Sequence, residues 1–108
     1  MALTRDFRET VLARARKDRA FRQAMLTEAV NELLTGDLEA GKAMLRDYIN
    51  ATITFDRLAK ALDKPSKSLQ RMLGPRGNPT AGNIFALIQA LQQTERLRLR
   101  VNAARKAA

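Results

Sequence analysis

Residues 58–80 read LAKALDKPSKSLQRMLGPRGNPT, and this stretch decides the fold. Two short apolar patterns stand on either side of Asp63-Lys64-Pro65, and the second runs into a loop that contains glycines and prolines at 74, 75, 77 and 79. Proline suits the first turn of a helix, because the N–H that it lacks would be unpaired there anyway. The stretch therefore predicts a helix, a tight break, a second helix and a loop.

The two helices of this stretch have the apolar spacing of a helix-turn-helix. The first places an inward Leu58 next to the small Ala59, where a second helix can cross closely. The second helix buries one face and leaves the opposite face free to enter a DNA major groove, which is about 12 Å wide. Its inward residues are Leu69, Met72 and Leu73; its outward residues are Ser66, Lys67, Gln70 and Arg71, with Ser68 beside them.

Capping residues divide the rest of the chain into further helices. A Ser, Thr, Asp or Asn before a helical apolar pattern is a typical N-cap, because its side chain accepts a hydrogen bond from a backbone N–H of the first turn. Glycine just after the pattern is typical of a C-terminus, where a left-handed residue is needed. N-caps are predicted at Asp6, Asp18, Asp37, Thr54 and Thr80, and helix ends at Gly36 and Gly74. The fold class is therefore all-α, with five to six helices.

Residues 97–101, LRLRV, alternate apolar and basic side chains instead of following a helical period. Period two is a strand signature. A lone strand in a helical chain has no partner, so a strand at 97–101 should pair with another molecule, across a dimer. The alternative is a frayed helix end or a disordered tail, and residues 102–108 are expected to be disordered.

Composition excludes several classes of site. A chain of 108 residues corresponds to one domain, and this one contains no His and no Cys. Thiolate metal sites, disulfides and the commonest general base are therefore absent, so we expect no catalytic residues, no metal and no cofactor. No apolar run is long enough for a transmembrane helix, and acidic residues near the N-terminus argue against a signal peptide. A cytoplasmic location is expected.

The positive charge is concentrated in the second half of the chain. Residues 1–63 carry 11 Lys/Arg and 10 Asp/Glu, whereas residues 64–108 carry 9 Lys/Arg and a single acid, Glu95. A strong field of one sign favours a polyanionic partner, either nucleic acid or an anionic membrane surface. Because Pro and Gly break the basic half into short pieces, a membrane-bound amphipathic helix is disfavoured.

The combined pattern resembles a known family. Residues 54–62, 66–73, 77–80 and 84–91 follow the pattern of the phage-repressor-type helix-turn-helix, which has a lambda-repressor-like fold. More narrowly, SLQRMLGPRGNPT followed by NIFALIQALQ is similar to the HigA-like antitoxins, also described as addiction-module antidote proteins. The resemblance covers about residues 43 to 101. Asp63 stands where such motifs commonly have glycine, and we expect it to adopt a positive φ, which Asp tolerates.

The resemblance implies a role for each matching residue. It makes the second helix of the motif the recognition helix, with bases read by Ser66, Lys67, Gln70 and Arg71. It places the DNA backbone near the following loop and helix start, at Ser68, Arg76, Asn78, Thr80 and Asn83. It also implies a homodimer on an inverted-repeat operator, repression of the protein's own operon, and neutralisation of a small basic toxin of the RelE or ParE kind.

This interpretation divides the chain into three parts. Residues 1–36 form an N-terminal helical extension, 37–94 the DNA-binding domain, and 95–108 a basic tail. The extension either adds to the core or forms a dimer or toxin interface. Two other functions remain open at this point: a stand-alone repressor without a toxin, and a protein-interaction module whose DNA binding is vestigial.

Overall fold

Six α-helices make up the regular structure of residues 5–106, the part of the chain that the computed structural model describes. No strand occurs in that range, so the prediction of an all-α fold is confirmed. The helices are α1 (Arg5–Lys17), α2 (Arg19–Leu34), α3 (Leu38–Ala51), α4 (Phe55–Leu62), α5 (Ser66–Met72) and α6 (Ala81–Glu95).

Three of the predicted N-caps are confirmed by their hydrogen bonds. The Asp18 carboxylate accepts from the Phe21 amide at 3.1 Å and starts α2. In the same way Asp37 starts α3. The Thr80 hydroxyl accepts from the Asn83 amide at 3.2 Å and starts α6. Each bond satisfies a backbone donor that has no partner inside its helix.

Of the other two predicted N-caps, Asp6 is wrong, whereas Thr54 does occupy the N-cap position of α4 but makes no side-chain capping bond. The chain is already helical at Arg5, so Asp6 lies inside α1, where its carbonyl accepts a hydrogen bond from the Thr10 hydroxyl. Thr54 does precede α4, but its φ of 72° lies outside the extended region typical of an N-cap, and its side chain makes no capping bond. The Thr54 amide donates instead to the Ile49 carbonyl at 2.8 Å, which ties this residue back to α3.

The hydrophobic core is shared by α2, α3, α4, α5 and α6. Its fully buried large apolar side chains are Leu26, Leu45, Ile49, Leu58, Leu69, Leu73, Leu87 and Leu91. Helices α2 and α3 pack closely at Gly41, where a Cβ would collide with the Leu33 side chain. Since α2 contributes Leu26 and Ala29 to the same cluster as the helix-turn-helix, it extends that core; α1 contributes the buried Ala15.

A buried polar network joins three helices at the end of α6. The Glu95 side chain is only 6% exposed, and its carboxylate accepts hydrogen bonds from Arg22 Nε and the Tyr48 hydroxyl, each at 2.9 Å. Arg22 also donates to the Ala15 carbonyl at 2.7 Å, which anchors the end of α1. Glu95, the only acid of residues 64–108, is therefore paired inside the structure and does not offset the positive charge of the surface.

Alkaline pH should unfold the protein through Tyr48. Burial, then the hydrogen bond to Glu95 and its negative charge, raise the pKa of the Tyr48 hydroxyl far above its usual value. In the unfolded chain it ionises near pH 10, so above about pH 10 the folded state holds a proton that the unfolded state has lost, and stability falls as pH rises.

The measurement is direct because Tyr48 is the only tyrosine and the chain has no tryptophan. In an alkaline titration, phenolate absorbance is expected to appear together with the loss of helical circular dichroism. Phenolate formation near pH 10 with the helical signal intact would contradict the prediction. A Tyr48→Phe variant, followed by circular dichroism, separates this effect from the titration of lysines.

The segment after α6 has no regular structure and no strand partner within the described chain. Leu97 and Leu99 pack against the core, while Arg98 and Arg100 are exposed, which is the alternation expected from the sequence. The Leu99 amide donates to Gln92 Oε1 at 2.8 Å. Pairing of 97–101 across a dimer stays a prediction. Residues 102–106 are exposed and have no regular structure, and 107–108 lie outside the described residues.

Candidate nucleic-acid interface

The turn between α4 and α5 follows the predicted geometry. Asp63 has φ 52° and ψ 49°, the left-handed conformation expected at this position. The following Lys64 amide donates to the Ala59 carbonyl at 3.0 Å and closes the end of α4. Pro65 is extended, with ψ 139°, and α5 begins at Ser66. Proline therefore stands at the N-cap of the second helix, immediately before its first turn.

One face of α5 is buried and the opposite face is free. Leu69 and Leu73 lie in the core. At about 100° per residue, Lys67 and Arg71 stand at the centre of the exposed face. Gln70 is exposed at one flank, and its amide donates to the half-buried Ser66 hydroxyl at 3.0 Å. Of the four residues predicted to read bases, Ser66 is the least available to an external partner.

A cleft of about 360 Å³ opens between α5, the following loop and the start of α6. It brings together six of the nine residues predicted to contact DNA, which come from positions up to 15 residues apart. They are Ser68, Arg71, Arg76, Asn78, Thr80 and Asn83. All five residues expected near the DNA backbone therefore share one concave surface, next to the exposed face of α5.

Lys64 also lines this cleft, and the sequence interpretation did not assign it. Its Nζ lies 3.5 Å from Asn83 Oδ1, so the turn and the start of α6 meet across the cleft. Pairing between residues 19 positions apart leaves no local sequence signal. The sequence does offer a weaker signal, since Lys64 is a charged residue inside the turn of the helix-turn-helix.

The charge of the cleft has one sign. Its ionisable lining residues are Lys64, Arg71 and Arg76, and no acid lines it. The N-terminus of the 15-residue α6 opens into the same space, and the dipole of a helix favours anions there. Because Glu95 is buried, the exposed side chains of residues 64–106 present cations without opposing acids. The surface is suited to phosphate groups.

The other three predicted residues, Ser66, Lys67 and Gln70, lie outside the cleft. Gln70 lines a separate depression with Arg46, Asn50 and Asp56, on the α3–α4 side of α5. Lys67 projects from the exposed face between the two surfaces. The predicted base-reading residues therefore form a ridge along α5, and the predicted backbone contacts lie to one side of it.

Two basic residues of α3 support this site, and sequence reasoning missed both. Lys42 is completely buried, and its Nζ donates to the carbonyls of Gly74 at 2.9 Å and Gly77 at 2.7 Å. Arg46 Nη1 donates to the Leu73 carbonyl. A signal did exist, because Lys42 stands three residues before Leu45 and seven before Ile49 on the apolar stripe of α3.

Gly77 allows the loop to pass close to the end of α5. A Cβ at this position would lie far inside van der Waals contact with the carbonyl oxygens of Arg71 and Met72. The loop therefore runs directly over the last turn of α5. This proximity sets the position of Arg76 and Asn78, the residues on either side of Gly77.

No protein-family model, curated protein or solved structure matches this chain. Among the described residues, no helix is long and apolar enough to cross a membrane. The same part of the chain contains no cluster of three or more metal-binding side chains.

Proposed function

We propose that this protein binds double-stranded DNA at a specific sequence and regulates transcription. The supporting observation is that a short helix with a cationic, outward-facing ridge stands beside a cleft whose ionisable side chains are all positive. A helix of this width fits the major groove, and the cleft then lies where the phosphate backbone passes. Phosphate contacts fix orientation and base contacts give specificity, so the two surfaces have complementary roles.

Each exposed side chain has a chemically reasonable DNA partner. Arg71 can donate two hydrogen bonds to guanine O6 and N7, and Gln70 can pair with adenine N6 and N7. Lys67 supplies a further donor to bases or phosphates. Arg76 and Lys64 provide charge for the phosphate backbone, and the polar groups of the cleft complete the contact.

The proposal includes a homodimer on an inverted repeat. It is supported by an exposed apolar groove on the opposite part of α6, where Phe85 is 68% exposed and Val101 76% exposed. Beside this groove, Arg98 and Arg100 make no hydrogen bonds within the described residues, so their backbone groups are available to a second chain. Dimers on two half-sites require a spacing of about one helical turn of DNA.

We also propose that the protein is the cytoplasmic antitoxin of a toxin–antitoxin pair, which represses its own operon and neutralises a RelE- or ParE-like toxin. The resemblance of residues 43–101 supports this narrower role. Co-expression with the product of the neighbouring gene tests it: co-purification and restored growth are expected. If the neighbouring product is neither toxic nor bound, a stand-alone repressor without cofactor or enzymatic activity is the better description.

The apolar groove also favours a second candidate function, a protein-interaction module. It contains three of the exposed large apolar side chains, Leu34, Phe85 and Val101. In that case the groove would hold the partner and the cationic cleft would be dispensable. For such a module, Phe85→Ser would abolish function in cells. Loss of DNA affinity in vitro would leave function in cells unchanged.

DNA binding is measured by fluorescence anisotropy with the duplex upstream of the protein's own gene. We expect affinity at least about 1,000-fold higher for this duplex than for a scrambled duplex at physiological salt. We also expect log K to fall linearly with log salt concentration, because each phosphate contact releases counterions. Equal affinity for the two duplexes would refute sequence-specific binding.

A further inference from the structure

We infer that Lys42 is a positioning residue for DNA binding, which holds the loop 74–78 so that Arg76 and Asn78 face the phosphate backbone. The inference rests on the proposed DNA-binding function. It assigns a role to a residue that cannot itself reach DNA, since Lys42 is completely buried.

The Lys42 ammonium group has three oxygen partners. Two are the loop carbonyls of Gly74 and Gly77, and the third is Glu39 Oε2 at 2.8 Å. A buried charge is tolerated when it is paired and hydrogen-bonded. Lys42 is paired with Glu39 and hydrogen-bonded to the two loop carbonyls. Glu39 has a 65% exposed side chain, so the carbonyls provide the buried part of the site.

The loop depends on these bonds because it has few others. Within the described residues, its internal backbone bond runs from the Gly77 amide to the Gly74 carbonyl at 3.0 Å. Arg46 holds the preceding Leu73 carbonyl, so two cations of α3 bind the C-terminal end of α5 and the start of the loop. Cations are also favourable at this end of the helix dipole. Lys42 thereby fixes the chain on both sides of Arg76.

The test separates positioning from net charge by removing a pair of opposite charges. The variant Lys42→Met with Glu39→Gln leaves the net charge unchanged. Its matched control is Arg5→Met with Glu9→Gln, which removes an exposed basic–acidic ion pair within α1. For each protein, the salt dependence of binding to the upstream duplex is measured alone and in combination with Arg76→Ala.

We expect the Lys42 variant to lower the magnitude of the salt slope by about 0.9, the contribution of one phosphate contact, although Lys42 is buried. Arg76→Ala alone should give the same loss, and the combination should lose no more than either. The control pair should leave the slope unchanged. Additive losses in the combined variant, or an unchanged slope in the Lys42 variant, would overturn the inference.

A readout without DNA keeps the inference separate from the proposed function. Hydrogen exchange at the Gly74 and Gly77 amides, which are hydrogen-bonded in the structure, should accelerate in the Lys42 variant, while exchange in α2 stays as in the parent. If the wild type binds no DNA but this local acceleration occurs, the proposed function fails and the loop-holding role stands. If exchange accelerates throughout the chain, the milder Lys42→Gln is used, and global acceleration there as well would refute a local role.

Discussion

Reversing the charges of Lys67 and Arg71 together is expected to weaken binding to the upstream DNA by about 100-fold or more. Both residues stand at the centre of the exposed face of α5, and neither packs in the core. A bidentate base contact contributes about 1–3 kcal/mol of discrimination. Two lost contacts plus repulsion of phosphates make a loss of about 3 kcal/mol a reasonable minimum, and each 1.4 kcal/mol is about tenfold.

The control for this variant changes charge by the same amount elsewhere. Arg8→Glu with Arg19→Glu alters two exposed residues in the first turns of α1 and α2, where acidic residues suit the helix dipole. It measures the effect of total charge on DNA affinity, which should be modest and lost at high salt. Circular dichroism of both variants verifies that the helices are retained.

The comparison of specific and scrambled duplexes gives the sharper result. The α5 variant should lose its preference between the two, because we propose that the ridge on α5 makes the base contacts, which give specificity. The control variant should keep the preference while weakening both affinities equally. If the α5 variant binds no worse than the control, or still represses its promoter in cells, the recognition role of α5 is refuted.

The helix-turn-helix was accessible from the sequence because its determinants are local. Leu58, Leu69 and Leu73 follow helical spacing, and the turn between them requires a left-handed residue that Asp63 provides. Side chains three or four residues apart share a face whatever the rest of the chain does. The inward and outward faces of α5 could therefore be assigned without a structure.

Other features depend on contacts between distant residues and were missed or wrong. Thr54 occupies the predicted N-cap position of α4, but its positive φ, its missing side-chain cap and its amide bond to the Ile49 carbonyl were not predicted. Lys42 looks like a solvent-exposed charge, yet its acceptors lie 32 and 35 residues away. Lysine is almost never buried without a partner, and a sequence alone does not reveal that partner.

The carbonyl groups at the end of α5 explain why a single methyl group should have a large effect at Gly77. Gly77→Ala is expected to destabilise the protein by about 1–3 kcal/mol, the usual cost of forcing extra atoms into a packed site. The new Cβ would meet the carbonyl oxygens of Arg71 and Met72, which are rigid backbone atoms at the end of α5. Either the loop moves away from α5 or the last turn of the helix opens.

Urea unfolding of Gly77→Ala is best compared with Gly82→Ala, because both variants add one methyl group close to the same cleft. A Cβ at Gly82 meets nothing within 4 Å, and alanine is favoured over glycine in a helix by about 1 kcal/mol, so this control should be slightly more stable than the parent. Both outcomes follow from local geometry, and they have opposite signs.

If Gly77→Ala unfolds at the same urea concentration as the parent, the loop does not depend on close approach to α5. Lys42 would then be holding a flexible segment instead of a fixed one, and Arg76 and Asn78 would reach phosphates only after an ordering step on the DNA.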